Sequence, residues 1–211
     1  MTNFHESFWS TRYREVGEDY LFGTAPTQFM AAHAGLFSSG STALSVADGE
    51  GRNSVWMAEQ GLSVTALEIS PVALEKARKL AAGRGVEVDF RLGDALAWDW
   101  PQDVFDFVVA VFIQFTAPAE RVRLFADMQK AVKPGGLLFL HGYTPKQLEY
   151  KTGGPPAVEH LYTPELLREA FADWEIVELR EYEDDLDEGT GHKGRSALID
   201  LVARKAGAGE T

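Results

Sequence analysis

Two glycines and two acids in the first half of the chain carry the most chemical information. The segment Val46-Ala47-Asp48-Gly49-Glu50-Gly51-Arg52-Asn53 joins an apolar run to a helix-like run. Gly49 and Gly51 let the backbone turn tightly and approach a ligand with no Cβ atoms in the way. Glu68 follows at the end of the next apolar run, where a carboxylate can accept hydrogen bonds from both hydroxyls of a ribose. Asp94 ends the third run in Leu92-Gly93-Asp94-Ala95, where an acid can accept from an adenine exocyclic amine. Taken singly, the glycines fit a bare tight turn and each acid fits a helix cap or a solvated strand end. Three such features at the ends of consecutive strands point to a nucleoside site, because open α/β sheets bind ligands at the carboxyl ends of their strands.

The elements that must position these residues alternate along the chain. Ala43-Leu44-Ser45-Val46 reads as a first strand, followed by a helix ending near Gln60 and capped by Gly61. Val64-Thr65-Ala66-Leu67 is a second strand. Ser70-Pro71 supplies an N-cap and a first-turn proline to a helix whose inner face is Ala73, Ala77, Leu80 and Ala81. Lys76-Ala77-Arg78-Lys79 reads as the wet face of that helix, with Glu75 and Lys79 paired at i,i+4. A third strand is expected over 86–92 and a fourth, covered on both faces, over 105–115. Pro118 opens a helix with Val122, Phe125 and Val132 inward. Lys133-Pro134-Gly135-Gly136 ends it, and a fifth strand follows over 137–140. Thr163-Pro164 starts a helix to about Phe171. Two last strands, 174–182 and 197–203, should then pair antiparallel across an acidic loop. The fold class expected is α/β: a Rossmann-like, doubly wound, seven-stranded sheet, mostly parallel with an antiparallel C-terminal strand pair.

Composition removes other classes. The chain has 211 residues, which suits one domain. No stretch approaches the ~18 apolar residues of a membrane span, and the N-terminus has no basic start followed by an apolar core. A cytoplasmic location is therefore expected, with no membrane partner. Net charge is −12 and basic residues never gather into a long patch, so no nucleic-acid partner is expected. There is no cysteine, and His5, His33, His141, His160 and His192 lack the spacing of a zinc site, so no metal is expected.

In its motifs and their order, the chain resembles a class I S-adenosylmethionine-dependent methyltransferase, in particular the small bacterial branch that includes tellurite-resistance and thiopurine methyltransferases. The resemblance runs from FWSTRYREVGEDYLFGTAPTQFM through VADGEGRNSVWMAEQGLSVTALEISPVALEKARKLA, RLGDALAW, VFDFVVAVFIQF and AVKPGGLLFL. It implies a single methyltransferase domain over 1–211, with an N-terminal helical lid at 1–40, a core at 41–206 and a substrate-side insertion at 144–162. It implies S-adenosyl-L-methionine as cofactor and S-adenosyl-L-homocysteine as product. Asp48, Gly49 and Gly51 would lie under the methionine portion, Glu68 would hold the ribose hydroxyls with Ile69 against the adenine, and Asp94 and Ala95 would face the adenine edge. Val111 and Phe112 would line the cofactor pocket. The chain departs from the family's acid-x-Gly-x-Gly-x-Gly pattern: Ser45 holds the acidic position and Ala47 the first glycine, and Asp48 can supply the missing charge.

The acceptor would be a small molecule: a thiol, a metalloid oxyanion or a small metabolite. Its side of the site is expected from the lid, the end of the fifth strand and the insertion. That nominates Trp9, Tyr13, Tyr20, His141, Tyr143, Tyr162 and Arg195, with His160 as general base because histidine titrates near neutral pH. Soft anionic acceptors need no base. Two other readings share the features: a non-catalytic S-adenosylmethionine sensor, and an NAD-dependent oxidoreductase, whose third glycine is Ser54 here. Oligomeric state stays open.

Overall fold

The computed structural model describes residues 4–207. Seven strands follow the order β3-β2-β1-β4-β5-β7-β6. The chain packs as two compact units, the first reaching Trp98 and adding Asp187–His192, the second holding Asp99–Leu186 and the chain from Lys193 onward.

The first unit contains α1 (Phe4–Glu15), α2 (Gln28–Ala32), β1 (Thr42–Val46), α3 (Arg52–Glu59), β2 (Ser63–Glu68), α4 (Pro71–Arg84) and β3 (Asp89–Leu92). β1 pairs parallel with β2, and β2 with β3. Ser70 caps α4 through its hydroxyl, which accepts from the Ala73 N–H, and Pro71 occupies the first turn. The inward face of α4 is Ala73, Ala77, Leu80 and Ala81, as its spacing requires. β3 is shorter than the expected 86–92. Gly85 adopts the left-handed conformation and Val86 N–H bonds back to the Ala81 carbonyl, so both residues belong to the helix end.

The second unit contains β4 (Phe105–Val111), α5 (Pro118–Ala131), β5 (Val132–Tyr143), α6 (Gln147–Tyr150), α7 (Pro164–Ala170) and most of β6 (Glu175–Glu188) and β7 (His192–Arg204). β4 and β5 are parallel, and β5 and β7 antiparallel. Val108, Val109, Ala110, Leu138, Phe139, Leu140, Leu201 and Val202 are buried in succession, the pattern of strands covered on both faces. β4 stops at Val111 rather than Phe115, because Phe112 takes a positive φ of 56°. On α5 the inward side is Arg121, Leu124, Phe125 and Met128, while Val122 is 68% exposed and Val132 begins β5. Lys133-Pro134-Gly135-Gly136 is a bulge inside β5, not a turn before it. Two steps along β4, Phe105 to Phe107, match five along β5, Val132 to Leu137. β6 and β7 are longer than expected and leave only 189–191 as the turn.

The N-terminal segment is pinned to the first unit by a buried charge. Lys76 Nζ donates to the Tyr13 carbonyl (2.7 Å), the Asp19 carbonyl (2.7 Å) and Glu50 Oε1 (3.0 Å), using all three protons. Glu50 Oε2 accepts from Leu21 N–H at 2.7 Å. Lys76 is therefore no part of a wet face, although Glu75 and Lys79 do pair in solvent. The tip of the β6–β7 hairpin closes over the same segment. Arg52 bridges the Phe22 carbonyl and Glu188, His192 lies on Phe22 at 4.4 Å, and Gly191 N–H bonds to the Leu21 carbonyl.

Two stability outcomes follow from this packing. Gly51 has φ +91°, and a Cβ there would lie 2.8 Å from Ala77 Cβ. Gly51→Ala is expected to cost about 2–4 kcal/mol in urea unfolding, from left-handed strain plus the clash. Lys76→Met strands a buried carboxylate and is expected to cost about 3–5 kcal/mol, whereas the Glu50→Leu/Lys76→Met double variant recovers most of that loss. A cost of the double variant equal to the sum of the Glu50→Leu and Lys76→Met single costs would show that the pair is not coupled.

Candidate active site

The turn after β1 is built from unusual backbone. Ala47, Gly49 and Gly51 all have positive φ, at 49°, 66° and 91°. Ala47 thus adopts the left-handed conformation at the position where the resembled family has its first glycine. The turn is locked to β2, since Asp48 N–H bonds to the Leu67 carbonyl at 3.0 Å. Ser45, at the family's acidic position, donates to Asp48 Oδ1 at 2.6 Å, and Ser54 donates to Asp48 Oδ2 at 2.5 Å. The charge has moved three residues along the loop, and the serine left behind orients it. Burial raises the Asp48 carboxyl above its ordinary range, opposed by the two hydroxyls and by Arg52.

Glu68 ends β2 and is 4% exposed. Its Oε2 accepts from Gly49 N–H and its Oε1 from Ser70 N–H, each at 2.8 Å. The carboxylate therefore ties the glycine turn to the N-cap of α4. Burial pushes its pKa up to about 7, with the Asp48 charge adding and the backbone donors opposing. The Ile69 N–H adds to these donors, and a carboxylate's four lone-pair sites still leave it acceptor capacity. Ile69 follows it, half-buried, and Asp94 Oδ1 accepts from Leu96 N–H at 2.9 Å in the turn after β3, beside the buried Ala95.

Helix α1 brings Tyr13 over the turn. Its hydroxyl sits 3.0 Å from where a Cβ on Gly49 would stand, and burial followed by Glu68 and Glu50 raises its pKa well above the usual value. Trp9 packs beside it at 5.9 Å. Ser10 bonds Ser70 at 2.8 Å, so α1 is fastened to the cap of α4. Tyr20 instead spends its hydroxyl on the Lys76 carbonyl.

In the second unit, Val111 and Phe112 end β4, and Phe112 N–H bonds to the His141 carbonyl at 2.8 Å. His141 is buried in β5, with Nδ1 2.6 Å from Asp200 Oδ1. Tyr143 lies on the same side of β5, its ring 4.7 Å from Phe112. Tyr162 is buried against Phe125 with its hydroxyl unpartnered, and burial drives its pKa upward. His160 is half-buried in a one-turn helix at Val158–His160, and its carbonyl accepts from Gln114 Nε2. Gln114 also exchanges two hydrogen bonds with the Tyr143 backbone, which holds the insertion on β5. Arg195 is exposed and faces Glu183 and Asp185. Among the described residues no cluster of three or more His, Asp or Glu could hold a metal, and no helix is long and apolar enough to cross a membrane.

Sequence reasoning passed over Glu50, Ser54, Lys76, Gln114 and Asp200. For Lys76 a signal existed: it lies three residues after Ala73 and four before Leu80, on the buried stripe. Glu50, Gln114 and Asp200 are partners across long sequence separations and carry no local mark, whereas Ser54 lies only six residues from the Asp48 it holds.

Comparison with known proteins agrees with this architecture. The family model described as a methyltransferase domain matches residues 43–136. The demethylmenaquinone methyltransferase of Thermus thermophilus is 32% identical over 104 residues, 48% of this chain and 47% of the relative. An uncharacterised protein of Mycobacterium tuberculosis is 27% identical over 143 residues, 67% of this chain and 51% of the relative. The chain spans about half the length of the curated relatives it matches. TehB from Haemophilus influenzae shares the fold at a TM-score of 0.71 and 20% identity, over 95% of this chain and 66% of that one. A structure described for the conversion of a disulfide bond into a thioacetal group in echinomycin biosynthesis does so at 0.78 and 20% identity, over 100% and 93%. The methyltransferase-domain model thus covers the glycine turn and the strands on either side of it, and the chain has the class I methyltransferase fold.

Proposed function

We propose that the chain transfers the methyl group of S-adenosylmethionine to a small-molecule acceptor. The observation that carries the reading is Glu68: a buried carboxylate at the end of β2, fixed by Gly49 and Ser70 N–H groups, with acceptor capacity left for two neighbouring hydroxyls. The residues around it suit a cationic nucleoside. Asp48 places a second carboxylate in the same turn, aimed by Ser45 and Ser54, where an ammonium or sulfonium is favoured. Gly49 and Gly51 leave the turn without side chains, Ile69 offers an apolar surface to a base, and Asp94 and Ala95 stand at the end of β3 for its edge. When bound, the cofactor supplies a methyl already activated by a positive sulfur. The protein's own part is to hold, align and exclude water, and the pinned α1 segment with Tyr13 over the turn serves that last purpose. The demethylmenaquinone methyltransferases among the relatives favour a small molecule as acceptor.

Two measurements test the cofactor site. Calorimetric titration with S-adenosylhomocysteine should show Glu68→Ala weaker by about 1–3 kcal/mol, the scale for losing hydrogen bonds to a charged group. Unchanged affinity would remove Glu68 from the site. Binding should also be linked to protons. With the Glu68 carboxyl at about 7 before binding, affinity should rise as pH increases from acid through that value and level off above it, with proton release. Glu68→Gln should abolish that slope. The stability effect has the opposite sign. The raised native pKa means that native protein holds the proton between the unfolded value and about 7, so Glu68 ionisation lowers unliganded stability as pH rises across that window.

A further inference from the structure

The buried lysine and arginine side chains among the described residues are Arg52, Lys76 and Arg121. Lys76 is paired with Glu50, and Arg52 with Glu188. Arg121, in the first turn of α5 in the second unit, has no carboxylate partner among the described residues. Its Nη1 donates to the Glu159 carbonyl at 2.6 Å and ties the one-turn helix at Val158–His160 to α5. The preceding residue, Glu120, instead accepts from the Ala117 N–H. A guanidinium is always charged and carries five donors in a planar fork, so one carbonyl leaves most of its capacity unused. Nε and Nη2 have no protein partner among the described residues and are not sealed from solvent. The positive end of α5 adds to the same charge.

A second donor stands beside it. Tyr162 lies edge-on to Phe125 at 5.8 Å, and Phe125 is one helical turn past Arg121 on the same face of α5. Tyr162 is 1% exposed, and its hydroxyl has no hydrogen-bond partner among the described residues. Burial drives its pKa upward, against the Arg121 charge, so the hydroxyl keeps its proton at neutral pH and can donate. Gly142 makes room for the ring, since a Cβ there would lie 3.1 Å from Tyr162 Cε2.

We infer that Arg121 and Tyr162 form a subsite in the second unit for a small oxyanion: the carboxylate or phosphate group of a small molecule. Buried cations are ordinarily paired, because leaving water costs a charge more than one carbonyl returns. An oxyanion satisfies both sets of donors at once. The fork takes two oxygens, and the hydroxyl takes a lone pair that the fork leaves over. The place in the fold agrees. α5 follows β4, and a helix that follows a strand starts at that strand's carboxyl end, where open α/β sheets take their ligands. With a net charge of −12 the chain as a whole repels anions, so an oxyanion stays only where donors converge. Both residues lie in the second unit, and the subsite does not rest on the methyl-transfer reading.

The test titrates the full chain with sodium phosphate and, separately, with sodium benzoate, each against sodium chloride at matched ionic strength. Nitrogen NMR follows the Arg121 Nε–H, and carbon NMR follows the Tyr162 ring. Both resonances should move to saturation with one midpoint under phosphate or benzoate and stay still under chloride. Tighter phosphate binding assigns the subsite to a phosphate group, and tighter benzoate binding to an organic carboxylate. In calorimetry with the tighter of the two, Arg121→Gln should weaken affinity by about tenfold or more, and Tyr162→Phe by about fivefold or more. Arg121→Lys, which keeps the charge and loses the fork, should fall between wild type and Arg121→Gln. No saturable shift with either anion, an equal shift under chloride, or unchanged affinity in Arg121→Gln or Tyr162→Phe would each overturn the inference. Where a variant fails to melt cooperatively, the two wild-type resonances decide.

Discussion

The Lys76–Glu50 pair is the constraint on which the first unit of the structure depends. Removing an ammonium and a carboxylate from water costs several kcal/mol each, and attraction between them repays this only when the remaining hydrogen-bonding capacity is also filled. Here it is filled. Two of the three ammonium protons go to backbone carbonyls of Tyr13 and Asp19, and the second carboxylate oxygen takes the Leu21 N–H. Every one of those backbone groups belongs to the N-terminal segment, while Glu50 sits in the glycine turn and Lys76 on α4. A purely apolar contact would let α1 slide. A charged pair whose hydrogen bonds fit one arrangement sets a single position, and that position places the Tyr13 ring over Gly49.

The glycine turn shows how a site keeps its chemistry while its letters change. A left-handed residue is required at position 47 by the path from β1 to α3, and alanine accepts it at a cost of about 1–2 kcal/mol relative to ordinary backbone. The requirement is met because the turn is over-determined: Asp48 N–H is fixed to β2, Gly49 N–H to Glu68, and Gly51 packs without a side chain against Ala77. The acid lost at 45 is regained at 48, with Ser45 as its hydrogen-bond donor. A pattern search on position 45 alone finds a missing carboxylate. The geometry finds a carboxylate and its support exchanged.

Much of this was legible from the chain. β1, β2 and α4 have apolar runs, caps and helical spacing that agree with one another, and such elements form as read. The errors have physical causes. Val86 looked like strand but closes a helix end through Gly85, since a left-handed cap recruits the next residue. Val122 looked inward because it is apolar, yet Arg121 takes the covered position by reaching the Glu159 carbonyl at 2.6 Å with its guanidinium and burying its stem. The Lys-Pro-Gly-Gly run looked like a stop and is a bulge, because the partner strand continues past it in pairing that local sequence does not contain. At the site, the glycines and terminal acids have a motif. Lys76 and Asp200, which hold Glu50 and His141, lie far along the chain from those partners.

Asp48 and Glu68 connect the electrostatics to the function. Burial raises the proton affinity of both, and the Asp48 charge raises that of Glu68 further, so the turn keeps two acids in an environment that disfavours their charge. The nearest cationic help is partial. Lys76 is saturated by Glu50 and two carbonyls, and Arg52 is held by Phe22 and Glu188. A fold selected only for stability would have replaced one acid by an amide. Retaining both makes sense when a positively charged, hydroxyl-bearing ligand completes the set: hydroxyl donors at Glu68 and positive charge at Asp48 each favour the ionised forms that burial opposes. On the proposed reading, the same acids disfavour an anion of similar size at this turn, which makes their burial a source of selectivity for a cation.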